Sequence, residues 1–499
     1  MKLFRRTLAA TFSGAAVFAA LLTLPACGTR NTTMLTTTPP PQNLQTLKNQ
    51  PPDGAGLSFL LTDGTILFQG NSLSDWYRLT PDQNGSYLNG TWSQAASLPT
   101  GYAPLDFSSQ MLPTGQLVVL GGEYNSNNFV LSNLGAIYDP VADTWTSLAA
   151  PTGWDYIGDS PSIVLSDGDF LVGDKLNTLM AELDPASLQW SAVASTGKND
   201  ENAEEGWTLL PDGSVLTVDV TNAPNSERYI PSMQTWISAG TTPVDLHSPG
   251  DGNCRIYGGG CYVPAGEIGP AILRPDGTVF ATGASKTGPG HTAVYTSPTV
   301  LTDAGSWAAG PDFPNSDNAG DSFAVLLTSG HVLVEAASGN LYEFDGLTLT
   351  EEATVAPQSS LLVLPAGEVI VGGNVVQLYT SSGTPSAAWA PAIRIFPLNL
   401  PRGSTQVVTG TQLNGLSQAA GYGDEDQTAT NYPLVRITNQ ATGHVFYAHT
   451  HDHSTMAVAT GSALVSTNFD VPAVMETGPS SLEVVANGIA SASVTVNVN

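Results

Sequence analysis

The chain has 499 residues, with 43 Asp and Glu against 15 Lys and Arg, for a formal net charge of −28. That balance excludes the basic face a nucleic-acid partner requires. Fifty-one glycines, 35 prolines and a charged fraction of only 12% suit a turn-rich, all-β protein.

In chain order, MKLFRR followed by TLAATFSGAAVFAALLTL and then LPAC predicts an export leader over residues 1–26, its apolar run too short and too poorly flanked to be a stable span. The ending resembles the bacterial lipobox, which implies cleavage before Cys27 and lipid on that residue; an ordinary cleaved signal or an uncleaved anchor is the plainer alternative. The expected location is the cell envelope, extracytoplasmic, with the membrane as a partner through Cys27. Residues 27–52, rich in Thr, Pro and Asn, read as a tether. The leader carries Lys2, Arg5 and Arg6 and no acid, so the remainder holds 12 basic residues against 43 acidic ones. Of three cysteines, lipidation of Cys27 leaves Cys254 and Cys261 to close the small loop CRIYGGGC as a disulfide.

Residues 53–390 repeat one unit seven times. Its hairpin reads LTDGTILFQG (61–70), LPTGQLVVLGG (112–122), LSDGDFLVGD (165–174), LPDGSVLTVD (210–219), LRPDGTVFATG (273–283), LTSGHVLVEA (327–336) and LPAGEVIVGG (364–373). A second hairpin follows, as in IYDPVADTW (137–145), ELDPASLQW (182–190) and RYIPSMQTW (228–236). Turn glycines 64, 115, 168, 213, 277, 330 and 367 are 51, 53, 45, 64, 53 and 37 residues apart, near the kelch period. Four strands per unit predict a seven-bladed β-propeller. The seventh unit lacks an outer strand. Either Trp389 heads it, or residues 43–52 supply it and close the ring; the second option removes an exposed edge and is favoured. From 391 to 499 alternating strands with Gly and Asn turns suggest an immunoglobulin-like sandwich.

This order of leader, kelch propeller and C-terminal sandwich resembles the galactose oxidase and glyoxal oxidase family over about residues 50–499. The resemblance implies a copper ion on the propeller axis, held by an adjacent Tyr-His pair in the last blade, a Cys-linked tyrosine and a histidine from a C-terminal loop. Here Pro357 and Gln358 occupy the Tyr-His positions, and neither replaces a phenolate or an imidazole. No cysteine starts an inner strand. Only the histidine has candidates: FYAHTHDHSTM (446–456) places His449, His451 and His453 at alternate positions, one face of a strand.

Nine residues before the turn glycines stand Ala55, Asp106, Asp159, Glu204, Asp321 and Gln358, with Glu267 in the fifth unit after one extra residue. Equivalent positions lie at one level of a propeller, so carboxylates crowd the channel rim and require protons, water or a cation. The plainer alternative is that they cap strand starts through backbone amides. The loop GYGDEDQTATN (421–431) offers three acids that could hold calcium, but it lacks calcium-loop spacing, which favours a solvated turn. His247, His291 and His331 are isolated and read as surface or structural.

Together these features favour a binding protein whose acidic channel face takes a cation, a carbohydrate or a protein partner at Asp106, Asp159, Glu204, Glu267, Asp321 and Gln358. A metal-dependent enzyme without a radical, a lyase or hydrolase, is the second reading, and a copper radical oxidase the third. A divalent zinc, manganese or calcium ion is the expected cofactor if there is one, with His449, His451 and His453 as ligands; the ligand set argues against copper. The same histidines could instead pair with carboxylates and staple the two domains, or face solvent. Wild-type protein is expected to incorporate a palmitate analogue and fractionate with membranes, and Cys27→Ser to do neither. Membrane fractionation unchanged by that substitution, with no labelling of wild type, would contradict the anchor.

Overall fold

A computed structural model describes residues 43–499 apart from 258–259, 419 and 423–424; the leader, Cys27 and the tether up to residue 42 lie outside the described residues. The fold is all-β and propeller-type. Each repeated hairpin forms for the reason its sequence suggests. In the turns of the first, fourth and fifth repeats, Asp63, Asp212 and Asp276 accept the backbone N–H two residues on at 3.0 Å, as Asp does in tight turns. The glycine that follows takes a left-handed conformation, and all seven turn glycines have φ between 76° and 107°. A side chain there would be strained.

Among the described residues, six four-stranded sheets and one five-stranded sheet carry the seven repeats. The first runs Ser58–Leu60, Ile66–Gln69, Trp76–Thr80 and Thr91–Ala95, and the others follow the same inner-to-outer order. Inner strands of successive sheets pack side by side: Ser108–Met111 on Ser162–Val164, Thr208–Leu209 on Ala271–Leu273, Ala324–Leu326 on Leu361–Val363, and Leu361–Val363 on Ser58–Leu60. Tyr138 pairs across strands with Trp145, Tyr229 with Trp236 and Tyr295 with Trp307, their rings 5.0, 5.3 and 5.0 Å apart. Outer-strand tryptophans also join sheet to sheet. Trp145 Nε1 donates to Ala96 O at 3.0 Å and Trp190 Nε1 to Ala149 O at 2.7 Å, each from the preceding repeat. Trp307 Nε1 likewise donates to Ser226 Oγ of the repeat before it, so three of these tryptophans fasten a sheet to its predecessor.

The seventh sheet is completed from the N-terminal side, as favoured above. Leu44–Thr46 pairs antiparallel with Gln377–Tyr379, Leu44 opposite Tyr379. Leu47 is buried, and its N–H donates to Val376 O. Gln50 brackets Val376, donating to its carbonyl and accepting from its N–H at 2.7 Å. Trp389 heads no strand; it ends the short 3₁₀ turn Ala387–Trp389 and lies against Gly330.

C-terminal strands build two sheets that share one strand. Val445–His451 pairs with Leu434–Asn439 through its first half and with Leu464–Asp470 through its second. Leu400, Val408, Val435, Phe469, Leu482 and Val496 form one buried apolar cluster on these strands. The segment 445–456 lies across the turn ends of the first three repeats: Val445 N–H donates to Gln83 O, Thr450 to Thr62 O, His453 to Pro113 O and Met456 to Ser166 O.

Leu47→Ala should cost about 2–5 kcal/mol, since a fully packed leucine at the ring closure is lost. Val141→Ala, at a side chain that is 72% exposed, should cost less than about 0.5 kcal/mol. Thermal melts of the two variants check this; equal melting temperatures would contradict closure by the N-terminal strand.

Candidate ligand-binding site at the acid end of the channel

Every inner strand runs from the level of the acid positions to its turn glycine, so the channel has an acid end and a turn end. The predicted histidines lie at the turn end. His449 Nδ1 is 2.8 Å from Thr62 Oγ1 of the first repeat. Its ring stacks 5.5 Å from His451, which meets Asp452 at 2.8 Å and Asp470 at 3.5 Å. These two imidazoles border a shallow pocket of about 330 Å³ with Asp139 and Asp470. His453 turns inward, is buried, stacks on Tyr432 and meets Thr467 Oγ1 at 2.8 Å. The stripe therefore joins the C-terminal strands to the propeller and does not reach the acid positions. The expectation that His449, His451 or His453 approaches Asp106 and its equivalents is corrected: hydrogen bonds from Thr450 to Thr62 and from His453 to Pro113 hold this segment at the opposite end.

A different C-terminal segment enters the channel. Ala420–Gly421 pairs with the inner strand Ala324–Leu326 of the sixth repeat. Tyr422 packs on Phe323 with ring centroids 4.8 Å apart. Asp426 N–H donates to Phe107 O at 2.9 Å, while Phe107 N–H donates back to Asp426 Oδ1 at 3.3 Å. Ser109 donates to Gln427 O, and the Tyr432 hydroxyl to Leu60 O. Residues 425–432 are all buried. The reading of 421–431 as a solvated turn is thereby corrected. Its polar side chains bond buried backbone, Asp426 that of Phe107, Gln427 the carbonyls of Tyr422 and Glu425, and Asn431 that of Met456, and nothing in their spacing distinguishes those partners from water.

This segment brings two further carboxylates to the acid end. Oxygens of Asp106, Glu425 and Asp426 lie within 4.8 Å of one another. Asp106, Glu204, Asp321 and Gln358 share a left-handed backbone, with φ of 54°, 59°, 51° and 62°, so the chain enters these inner strands through the same bend. Asp159 and Glu204 are fully and nearly fully buried and close on Lys175, whose Nζ donates to them at 2.5 and 2.8 Å. Removing one partner of such a buried pair costs about 3–5 kcal/mol, so Lys175 is integral to this wall. Glu267 and Asp321 are half-buried. Gln358 is exposed, and its N–H donates at 2.5 Å to Glu335. Burial pushes Glu335 up to about 8, its bonds from Ser359 and Gln358 notwithstanding. Bonded Cys254 and Cys261 tie the hairpin that carries Tyr262. Burial raises the Tyr262 phenol, and the charges of Lys175, Glu204 and Asp159 act on it.

A cavity of about 600 Å³ opens here. Three of the seven equivalent positions, Ala55, Asp106 and Gln358, line it with Asp426, the amides of Asn71, Asn127 and Asn374, and the side chains of Phe323 and Tyr422. Asp159, Glu204, Glu267 and Asp321 are not among its lining residues. The ring expected from sequence is thus divided, with Asp106 and Gln358 at the cavity and Asp159 and Glu204 around Lys175. Lys175 was not anticipated. A signal existed, since the chain has only five lysines and two of them, in VGDKLN and TGKND, adjoin acids. The other histidines have local partners: His291 meets Asp312 at 2.7 Å, His331 Glu343 at 2.5 Å and His444 Glu476 at 2.7 Å, and His247 Nε2 is 3.0 Å from Ala265 O.

No family model matches the chain. Kelch-like protein terF of Aspergillus terreus is 26% identical over 132 residues, 26% of this chain and 27% of that protein, so the match spans about a quarter of the relative's length. A fungal alcohol oxidase of the AA5 family, solved in complex with copper, has a TM-score of 0.50 at 13% identity and covers 91% of this chain and 98% of its own. Virginiamycin B lyase from Staphylococcus aureus covers 67% of this chain and 97% of its own at 10% identity, with a TM-score of 0.44. The fold is a kelch, galactose oxidase-like β-propeller. The copper this fold implies does not fit the residues present. Pro357 and Gln358 stand where the resemblance places the Tyr-His pair, and among the described residues the cavity offers carboxylates, amides and the single phenol of Tyr422 without an imidazole or thiolate, a donor set for hard cations rather than copper.

Burial pushes His453 down to about 3, and burial likewise lowers His449. Unfolding frees these groups to bind protons near 6.5, so their contribution is fully present above that pH and is lost as pH falls, for His453 down to about 3. For His453 alone the loss at pH 5 is about 2 kcal/mol. His453→Phe keeps the ring against Tyr432 and should flatten the fall in melting temperature between pH 7 and pH 5. An unaltered pH profile would contradict a neutral, buried His453.

Proposed function

We propose that this chain is an exported, lipid-anchored binding protein whose ligand is a polar neutral or cationic molecule, a carbohydrate foremost, received in the cavity at the acid end of the channel. One observation carries the reading. A cavity of about 600 Å³ combines the carboxylates of Asp106 and Asp426 with the amides of Asn71, Asn127, Asn374 and Gln358, and with Phe323 and Tyr422. Carboxylates accept from hydroxyl or ammonium groups, amides both donate and accept, and aromatic side chains pack against the C–H face of a sugar ring. An anion entering this space would meet like charge. The leader and Cys27 support an extracytoplasmic location, and the seven repeats with a C-terminal sandwich support a seven-bladed ring that holds the cavity rigid.

A second reading rests on the three carboxylates of Asp106, Glu425 and Asp426, with oxygens within 4.8 Å of one another. They would suit calcium, magnesium or manganese, and with such an ion the site would serve a lyase or a hydrolase. Copper radical chemistry ranks last.

Screening against neutral and amino sugars, followed by calorimetry on the best hit, tests the proposal. Asp426→Asn should weaken binding at least about tenfold, more than 1.4 kcal/mol, because an acceptor facing the ligand loses its charge. Binding that persists in chelator supports the direct reading; binding or turnover that needs restored calcium or manganese supports the second. Full affinity in both Asp106→Asn and Asp426→Asn would exclude this cavity as the site.

A further inference from the structure

The stretch KNDENAEEGW, residues 198–207, joins the outer strand Gln189–Val193 of the third sheet to the inner strand Thr208–Leu209 of the fourth. It takes no part in lining the cavity described above. Lys198 Nζ donates to Asp200 at 2.6 Å, Glu205 at 2.7 Å and Glu227 at 2.9 Å, which engages all three of its N–H donors. A fourth carboxylate, Asp219, follows the strand Val215–Val218. One oxygen from each of Asp200, Glu205, Asp219 and Glu227 lies within 4.8 Å of the other three.

Asp219 and Glu205 are both 0% exposed. Asp219 Oδ2 has only a long contact, 3.4 Å, from Asn199. Among the described residues, Asp219 Oδ1 and Glu205 Oε2 are sealed from solvent without a hydrogen-bond donor, and Glu205 and Asp200 lie within hydrogen-bonding reach of each other. Four carboxylates against one ammonium leave three negative charges uncompensated when all are ionised. Buried charge of that size is not sustained without a proton or a cation.

We propose that this cluster is a cation site, distinct from the channel cavity, in which a hard divalent ion of the calcium class is held beside Lys198 by Asp219 and Glu205 with Asp200 or Glu227. All the donors are carboxylate oxygens, the ligands such ions take, with no imidazole or thiolate to favour zinc or copper. The ion lowers the uncompensated charge from three to one. It also fastens the 198–207 connection to the fourth sheet at Asp219 and Glu227, next to Glu204 and its bond to Lys175.

Terbium, which replaces calcium and emits when a nearby tryptophan is excited, is the probe. Trp236 is close, its ring centroid 5.1 Å from Lys198 Nζ. Titration of the purified, folded chain should show tryptophan-sensitised emission that calcium displaces. Asp219→Asn should weaken this class of sites at least tenfold, whereas Asp426→Asn, in the channel, should leave it in place. Wild type without calcium-displaceable emission overturns the proposal and assigns the neutralisation to protons, and that result needs no variant to fold. Emission that survives Asp219→Asn at full affinity, or vanishes only in Asp426→Asn, overturns it as well. Native mass spectrometry supplies a second readout on wild type: at least one calcium retained per chain is expected, and none retained contradicts the site.

Discussion

A ring of sheets leaves a hole on its axis, walled by the innermost strands, and the polar groups facing that hole must find partners. Here much of the partnering comes from one C-terminal segment. Ala420–Gly421 extends the sixth sheet, Asp426 exchanges hydrogen bonds with Phe107 in the second, and Tyr432 reaches Leu60 in the first. Gln418 Nε2 donates to Val164 O in the third at 3.2 Å. A single segment thus touches four of the seven inner strands. The shape of the cavity follows from it, since Tyr422 and Asp426 form part of the wall whose remainder comes from strand starts.

Charge is handled by the same logic of local compensation. In a chain with 43 acids and five lysines, Lys175 and Lys198 are buried and each holds carboxylates from more than one part of the fold. Lys175 links the inner-strand starts of the third and fourth sheets. Lys198 links the connection between those sheets to Glu227 in the strand Asn225–Ile230. Such groups add little net stability over apolar packing, yet breaking one side is expensive. Geometry is therefore what they contribute. They hold one side of the acid end closed, while the side lined by Asp106, Gln358 and Asp426 stays open as the cavity.

Local chemistry made the repeats legible. Turn glycines need positive φ, aspartates close the turns, and tryptophans fasten neighbouring sheets, so each feature has a cause within one or two repeats. Closure by Leu44–Thr46 was also within reach, because an unpaired edge in the seventh sheet demanded a partner. The site was less legible. Alternation correctly placed His449 and His451 on one face of a strand, but periodicity carries no information about which end of the propeller that strand crosses. The loop 421–431 looked solvated because polar side chains bonded to buried backbone are indistinguishable by type from side chains bonded to water. Spacing from the turn glycines identified Asp106 and Gln358 at the cavity. It could not separate them from Asp159 and Glu204, whose fate depends on a lysine sixteen residues beyond the first of these.

The dependence of the acid end on the inserted segment is open to direct measurement by hydrogen–deuterium exchange resolved at peptides spanning 415–432. Backbone amides such as Asp426, bonded to Phe107 O, and Thr430, bonded to Gln418 O, should exchange as slowly as those of the inner strand Ser108–Met111. Asp426→Asn should leave most of that protection in place, because main-chain bonds carry it. Exchange of 415–432 at the rate of an exposed loop, while the inner strands stay protected, would mean that the segment does not occupy the channel and that the cavity has no fixed wall.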